Sequence, residues 1–425
     1  MNSKRSRNQK WNSSNRSEFL GYLFLLIGAI GLPAEEPMHF PGRQWDVVAP
    51  EAEGLDSTRL QAAVEFLRAN AGRDGVRELV IARNGRIVWE GDRATNVHGV
   101  WSVTKSFTST CLGLLQDDGR CGLDTRAASL VPALTAHYAD VTLRHFTTMT
   151  SGYRAVGDES RADGYSHGPS ATPFEPAPEP LFAPGAAYAY WDSAMNLFAL
   201  ALTRAAGEPL DELFRRRIAE PIGMDPAGWR WGDFGEVSGH RVNGGSGNNN
   251  RHVFINAREL ARLGHLFLNH GRWNGRHLVS SNWVHAATSV QVSTTLSNAW
   301  TRSGIDGPGI YGFNWWCNGL QPDGKRPWPA VPLETFASSR LLFITQREPD
   351  DLPDTLWYLG AENGGAITAT NGLIVFGLGR GPNTTAHFRG TGHAFVLGFL
   401  EGAAKDTAAH QRLATTIQRT LSDKP

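Results

Sequence analysis

Two Asn-Gly dipeptides lie near opposite ends of this 425-residue chain, each between short runs rich in β-formers. Glu78–Arg83 and Arg86–Glu90 flank Asn84-Gly85, and Gly364–Thr370 and Leu373–Gly379 flank Asn371-Gly372. Asn-Gly readily supplies the two left-handed residues of a two-residue turn, so each site predicts a tight β-hairpin. Leu60–Leu67 has helical apolar spacing ahead of the first hairpin. Between the hairpins the pattern is helical over Lys105–Gln116, over Ser193–Ala206 up to Gly207, and over Leu210–Ala219 up to Pro221. Asn256 opens a further helix at Ala257–Asn269, with Glu259 at capping-box spacing and Gly271 closing it. A last helix is expected from about His393. Strands at both ends with helices between predict an α/β (α+β) fold. One sheet draws on distant segments, about 45–100 and 300–425, and a helical lobe of about 101–299 is inserted in it.

The amino terminus stands apart from that pattern. Lys4, Arg5, Arg7, Lys10 and Arg16 precede an apolar run from Phe19 to Leu32, followed by Pro33-Ala34 and Glu35-Glu36. Basic, greasy, then small-before-polar is the order of a secretory signal. The run is short of the roughly 20 residues of a membrane span. The expectation is a signal peptide over 1–34, an exported periplasmic or extracellular protein, and no stable membrane insertion once the signal is cut. An uncleaved amino-terminal anchor is the alternative. Cleavage after Ala34 removes five basic residues and Glu18, taking the charge from 41 − 41 = 0 to 36 − 40 = −4. A chain so nearly neutral has no long-range field for phosphate backbones, which argues against nucleic acid as a partner. With 41% hydrophobic residues it can bury a core and is not a disordered protein. Cys111, Cys121 and Cys317 cannot staple a chain this long and read as buried structural thiols.

Three short segments carry chemistry. In Trp101-Ser-Val-Thr-Lys-Ser-Phe107, Ser102 and Lys105 are three apart and share one face of a helical turn. A serine hydroxyl needs a proton acceptor before it attacks, and a desolvated lysine can serve. Of the six lysines only Lys105 has serine three positions before it. The plainer reading is a helix start with a surface lysine. In Pro184-Gly-Ala-Ala-Tyr-Ala-Tyr-Trp-Asp192, extended backbone puts Tyr190 and Asp192 on one side. A phenol held near an ammonium can ionise below its usual range and shuttle protons. Alternatively, Tyr190 is core and Asp192 caps the helix after Ser193. Tyr188 is a one-step competitor, and Tyr138-Ala-Asp140 repeats the spacing. In Ala361-Glu-Asn363-Gly364-Gly365-Ala366, two glycines entering a strand permit close backbone approach by a substrate, or mark a simple turn.

These three segments, in this order, resemble the serine β-lactamase and penicillin-recognising superfamily, nearest its class C β-lactamase-like esterases, D-aminopeptidases and 6-aminohexanoate-dimer hydrolases. Val141-Thr-Leu-Arg-His-Phe-Thr-Thr-Met-Thr-Ser-Gly152 is similar to a family segment reading roughly TIRHLLTHTSG. Pro184-Gly185 before Tyr190, Pro221–Met224, Asn256–Gly275 and Tyr311–Trp316, the last as a strand of the sheet, follow the same pattern over roughly 45–400. The resemblance implies a β-lactamase-like antiparallel sheet flanked by helices. It implies Ser102 as acylated nucleophile, Lys105 as proton acceptor and Tyr190 as proton shuttle. The oxyanion hole would then be the backbone N–H groups of Ser102 and Ala366. Two positions depart from the family. Asp192 stands where Asn is usual, and a negative charge there favours the charged form of Lys105. Whether Lys105 is then a base, or a cation that keeps Tyr190 ionised, stays open at this level. Asn363, with Gly364 and Gly365, stands where a Lys associated with recognising substrate carboxylates is common.

The implied activity is hydrolysis of an ester, amide or D-peptide bond through an acyl-enzyme, with neither cofactor nor metal. A β-lactamase or D,D-peptidase, or a non-catalytic binding relative, are the competing readings. His145 reads as a hydrogen-bonded core histidine. His387 and His393 lack metal-ligand spacing, and Gly377–Gly381 lacks nucleotide-loop spacing. Trp191, Trp315 and Trp316 read as core, and Glu362 as a solvated turn residue. The Pro-, Gly- and Ser-rich stretch 152–184 is long for a connection and is expected to wall the pocket.

Overall fold

Asn84 and Gly85 both take left-handed backbone, φ 50° and 83°, and turn strand β1 (Val80–Arg83) back into β2 (Arg86–Glu90) as their dipeptide predicts. In the computed structural model the described residues are 38–53, 80–162, 170–246, 250–299 and 307–317. Shorter stretches add 57–58, 61, 64–65, 77, 322–324, 341–346, 355–359 and 374–375. All lie in one compact unit that begins at Met38. The amino-terminal segment, the Asn371-Gly372 turn, the helix expected from about His393 and the whole Asn363–Ala366 motif fall outside the described residues.

The main sheet joins distant parts of the chain. β1 pairs antiparallel with β2 on one side, and on the other with Leu341–Gln346, which pairs in turn with Thr355–Leu359. The register sets Val80 opposite Ile344, and Leu342 opposite Leu359. A helix at Ala257–Leu268 packs across β1 and the two late strands. The sequence reading assigns this helix to the helical lobe. Its stripe of Leu260, Leu263, Leu266 and Phe267 is fully buried, so it serves as a covering layer of the sheet instead. Its cap is half the expected box: Asn256 accepts from the Glu259 N–H at 2.9 Å, but the Glu259 carboxylate turns to the Asp225 N–H at 3.1 Å. Tyr311 makes a lone bridge and 312–315 are irregular with a bend at Phe313 and Asn314, so the strand expected over Tyr311–Trp316 is confined to Trp316–Cys317, paired with Ile374–Val375.

Two helices run through the core, and we label them α1 (Thr104–Asp117) and α2 (Asp192–Ala206). Every residue of α1 from Thr104 to Leu115 is buried, although half of that stretch is polar. The hydroxyls are satisfied within reach. Ser106 donates to the Asn314 carbonyl at 2.8 Å and Ser109 to Phe313 at 2.6 Å, while Thr108 and Thr110 bond back one turn. In α2 only Arg204 escapes burial, and Gly207 ends it with φ 68°. Gly113 lets α1 meet the ring of Trp283: an added Cβ would lie 2.3 Å from it. The third expected helix is α-helical only over Leu210–Phe214 and widens to a π turn over Arg215–Ala219 before Pro221.

Candidate active site

The start of α1 is held by strand pairing. His98–Gly99 pairs antiparallel with Val253–Ile255, the Val100 N–H donates to the Val253 carbonyl, and the Val253 N–H donates to Thr104 Oγ1, both at 2.9 Å. Between these anchors Trp101–Val103 forms a single 3₁₀ turn. Lys105 follows three residues on in the first turn of α1, so its side chain shares a face with Ser102. Lys105 Nζ donates to Ser102 Oγ at 2.9 Å.

The start of α2 delivers the other groups. Trp191 is extended, with φ −135° and ψ 114°, so the chain enters the helix with Tyr190 and Asp192 on the side opposite the indole. Asp192 is the first helical residue and is not the cap that one sequence reading offered; its Oδ1 accepts from Lys105 Nζ at 2.7 Å. The Tyr190 and Ser102 hydroxyls are hydrogen-bonded, and the lysine nitrogen lies 4.5 Å from the centre of the Tyr190 ring. Four side chains from two helix starts thus converge. Of the competitors, Tyr188 packs edge-on to Tyr311, the ring that Tyr190 also meets edge-on, and the Tyr138 hydroxyl donates to the Ala177 carbonyl at 2.9 Å.

The electrostatics bear on the alternative left open for Tyr190. Burial first, and then the Asp192 carboxylate, push the Tyr190 hydroxyl well above the ordinary phenol range, with the Ser102 hydrogen bond pulling the other way. The Lys105 nitrogen also sits over the ring face. Burial and the Asp192 carboxylate thus both oppose ionisation of Tyr190. Lys105, Tyr190 and Asp192 are each 1% exposed and Ser102 8%, so three dry groups stand behind a serine that touches solvent. Removing one partner of such a buried ion pair typically costs about 3–5 kcal/mol.

Sequence reasoning missed the residues that hold this arrangement. Asp158, inside the 152–184 stretch, accepts from Trp191 Nε1 at 2.9 Å and Ser193 Oγ at 2.8 Å. That stretch is partly regular, because Ala155–Val156 pairs with Thr172–Pro176. Asn196 Oδ1 accepts the backbone N–H groups of Gly245 and Ser246, at 3.1 and 3.2 Å. Gly245 is required there, since a Cβ would fall 2.0 Å from the Met195 carbonyl. Neither a loop acid such as Asp158 nor a helical amide such as Asn196 carries a local signal of a partner tens of residues away.

The remaining candidates take structural places. Nδ1 of His145 accepts the Thr142 N–H at 3.1 Å in a capping box, and burial lowers its basicity. Trp191 and Trp315 are buried. Burial raises the Cys111 thiol far beyond its usual range and the Cys121 thiol to about 11. No group of three metal-ligating side chains exists among the described residues. Glu362, Gly377–Gly381, His387 and His393 lie outside those residues.

With this geometry in place, comparison with known proteins is informative. Esterase EstB from Burkholderia gladioli is 27% identical over an alignment covering 42% of this chain and 54% of the esterase, so the chain spans about half of that relative. Among solved structures, a Bacteroides dorei protein described as a candidate beta-lactamase aligns over 87% of this chain and 100% of its own, at 15% identity and TM-score 0.53. EstCE1, described as a hydrolase with promiscuous acyltransferase activity, aligns over 85% and 100%, at 15% identity and TM-score 0.51. At such identities these two establish the shared fold. The Beta-lactamase family model matches residues 60–390, most of the chain, and both helix starts that carry the site lie inside that span. The chain belongs to the Beta-lactamase family.

Proposed function

We propose that this protein is a serine hydrolase that cleaves an ester or amide bond through an acyl-enzyme on Ser102. One observation carries the reading: Lys105 Nζ lies 2.9 Å from Ser102 Oγ and 2.7 Å from Asp192 Oδ1, in a site closed to water on the lysine side. A serine with no route for its proton is a poor nucleophile, and here the route is built in.

In acylation Ser102 Oγ bonds to the carbonyl carbon while its proton passes to Lys105, which hands one of its own to Asp192. The carbonyl π pair moves onto oxygen, where the Ser102 N–H at the helix start stabilises it. On collapse the bond to the leaving group breaks, and that group takes the Tyr190 hydroxyl proton. The phenolate is at once reprotonated through Lys105 and Asp192. Water then repeats the sequence in reverse to release the acid. A phenol held neutral suits the donor role that Tyr190 plays here.

Asp192 gives the lysine proton a place to go, whereas the usual Asn would accept none. Asn363 in place of a carboxylate-binding Lys favours neutral esters and amides over β-lactams. The name of the Burkholderia gladioli relative, an esterase, points the same way. We further propose export with cleavage after Ala34, tested by amino-terminal sequencing of the protein recovered outside the cytoplasm. A fluorophosphonate probe followed by peptide mapping tests the main reading. Labelling at Ser102, with nitrophenyl ester turnover abolished in Ser102→Ala, is the expected result. Labelling at another residue, or turnover surviving that substitution, refutes it. Rapid nitrocefin hydrolysis would move the substrate class to β-lactams.

A further inference from the structure

The mechanism needs Tyr190 and Asp192 to arrive at Lys105 together, and the side chains between and beside them are held by Asp158. One carboxylate spans both sides of Asp192, because Oδ2 accepts from Trp191 Nε1 at 2.9 Å and Oδ1 from Ser193 Oγ at 2.8 Å. The same two oxygens accept the Ala155 N–H at 2.8 Å and the Ser170 N–H at 3.0 Å. Asp158 therefore also gathers two separate parts of the 152–184 stretch. All three partners in the clamp are buried, Asp158 at 8% exposure, Trp191 at 2% and Ser193 at 0%.

Alternation of side chains makes the clamp effective. Trp191 is extended, so its indole points away from the face that carries Tyr190 and Asp192. Fixing the indole fixes the rotation of the segment about its own axis, and that rotation aims the phenol and the carboxylate at Lys105. Displacement of about 1 Å in such a constellation can cost about 100-fold in rate.

Resting on the acyl-enzyme reading above, we propose that Asp158 is a positioning residue for Tyr190 and Asp192, acting through Trp191 and Ser193. The chemistry requires a carboxylate. Four donors face two oxygens, so an amide must turn its NH₂ either on the Trp191 and Ala155 N–H groups or on the Ser170 N–H. Asp158→Asn is close in shape yet breaks one side of the clamp.

The test counts turnover per fluorophosphonate-labelled Ser102, which removes misfolded molecules from the comparison. Expected for Asp158→Asn is a fall in kcat per labelled serine of about tenfold or more, with KM for a nitrophenyl ester within about threefold. Trp191→Phe keeps the packing and deletes one bond of the clamp, so a smaller fall in kcat is expected. The double variant should turn over no more slowly than Asp158→Asn alone, because both act on one contact. If Asp158 only stabilises the fold, melting temperature and labelled fraction fall while kcat per labelled serine stays at the wild-type value, and the proposal is overturned. Additive losses in the double variant overturn it as well. Wild-type protein that takes no label at Ser102 refutes the acyl-enzyme reading and this one with it. Normal labelling alongside unchanged turnover in Asp158→Asn refutes this one alone.

Discussion

Asp192 and Tyr190 sit within three residues of chain, yet the fold gives them opposite electrical tasks. The carboxylate meets the lysine at 2.7 Å and takes part in a buried ion pair, while the same burial and the same carboxylate oppose ionisation of the phenol. Two predictions belong at this scale. Asp192→Asn leaves Lys105 bonded to an amide that accepts no proton, so kcat at pH 7 should fall by about 10- to 100-fold with little change in KM. Steady-state kinetics on a nitrophenyl ester check it, and an unchanged kcat would remove Asp192 from the proton path. For Tyr190, whose hydroxyl is raised well above 10, the folded protein should show no phenolate absorbance from this residue as pH rises to 10. The difference in ultraviolet titration between wild type and Tyr190→Phe should be flat to that point. A phenolate appearing near neutral pH would restore the ionised-phenol reading. Ser102 and Lys105 were legible because their meeting depends on one turn of local geometry. Tyr190 was legible as a spacing but not as a charge state, since that state depends on how dry the assembled site is.

Helix starts are the elements on which this molecule depends, and their quality differs. α1 begins with no side-chain cap and is held by the Val253 strand, while the Leu143–Thr147 helix has a reciprocal capping box between Thr142 and His145. The second device brings a pH dependence whose sign can be worked out. His145 accepts the Thr142 N–H through a bare ring nitrogen, and burial first, then the neighbouring Arg144 charge, lowers its basicity in the folded state. The unfolded chain therefore binds this proton first. Its contribution to stability is complete above the unfolded value of about 6.5 and is lost progressively as pH falls below it. His145→Gln keeps an acceptor at the same helix position without titrating. Between pH 7.5 and 5.5 the melting temperature of the wild type should drop more than that of His145→Gln; equal drops would contradict the argument. Helix boundaries near Ser193–Ala206 and Ala257–Asn269 could be read from periodicity and terminal Gly or Asn. The reciprocal arm of the Asn256 box could not, because Glu259 finds a better donor in Asp225, from a different part of the chain.

At the scale of the molecule, the chain closes on itself through one sheet. β1 and β2 come from residues 80–90, whereas the two strands that complete the sheet come from 341–346 and 355–359. The order matters: Leu341–Gln346 lies between β1 and Thr355–Leu359, so the late strands cannot be lost singly from the inside. The Ala257–Leu268 helix packs across both early and late strands, and without the late ones part of its apolar stripe would face water. A chain ending at residue 340 would also expose β1 as an unpaired edge, a template for aggregation. Expressed alone, that truncation should be insoluble or melt without cooperativity, and should take no fluorophosphonate at Ser102 even though the whole Ser102–Lys105–Tyr190–Asp192 constellation is still encoded. Supplying residues 341–425 as a separate chain should restore soluble, labelled protein, because pairing in the sheet needs the strands but not the covalent link. A truncated chain that folds cooperatively and labels at Ser102 by itself would show that the sheet is an accessory to the site and not its foundation.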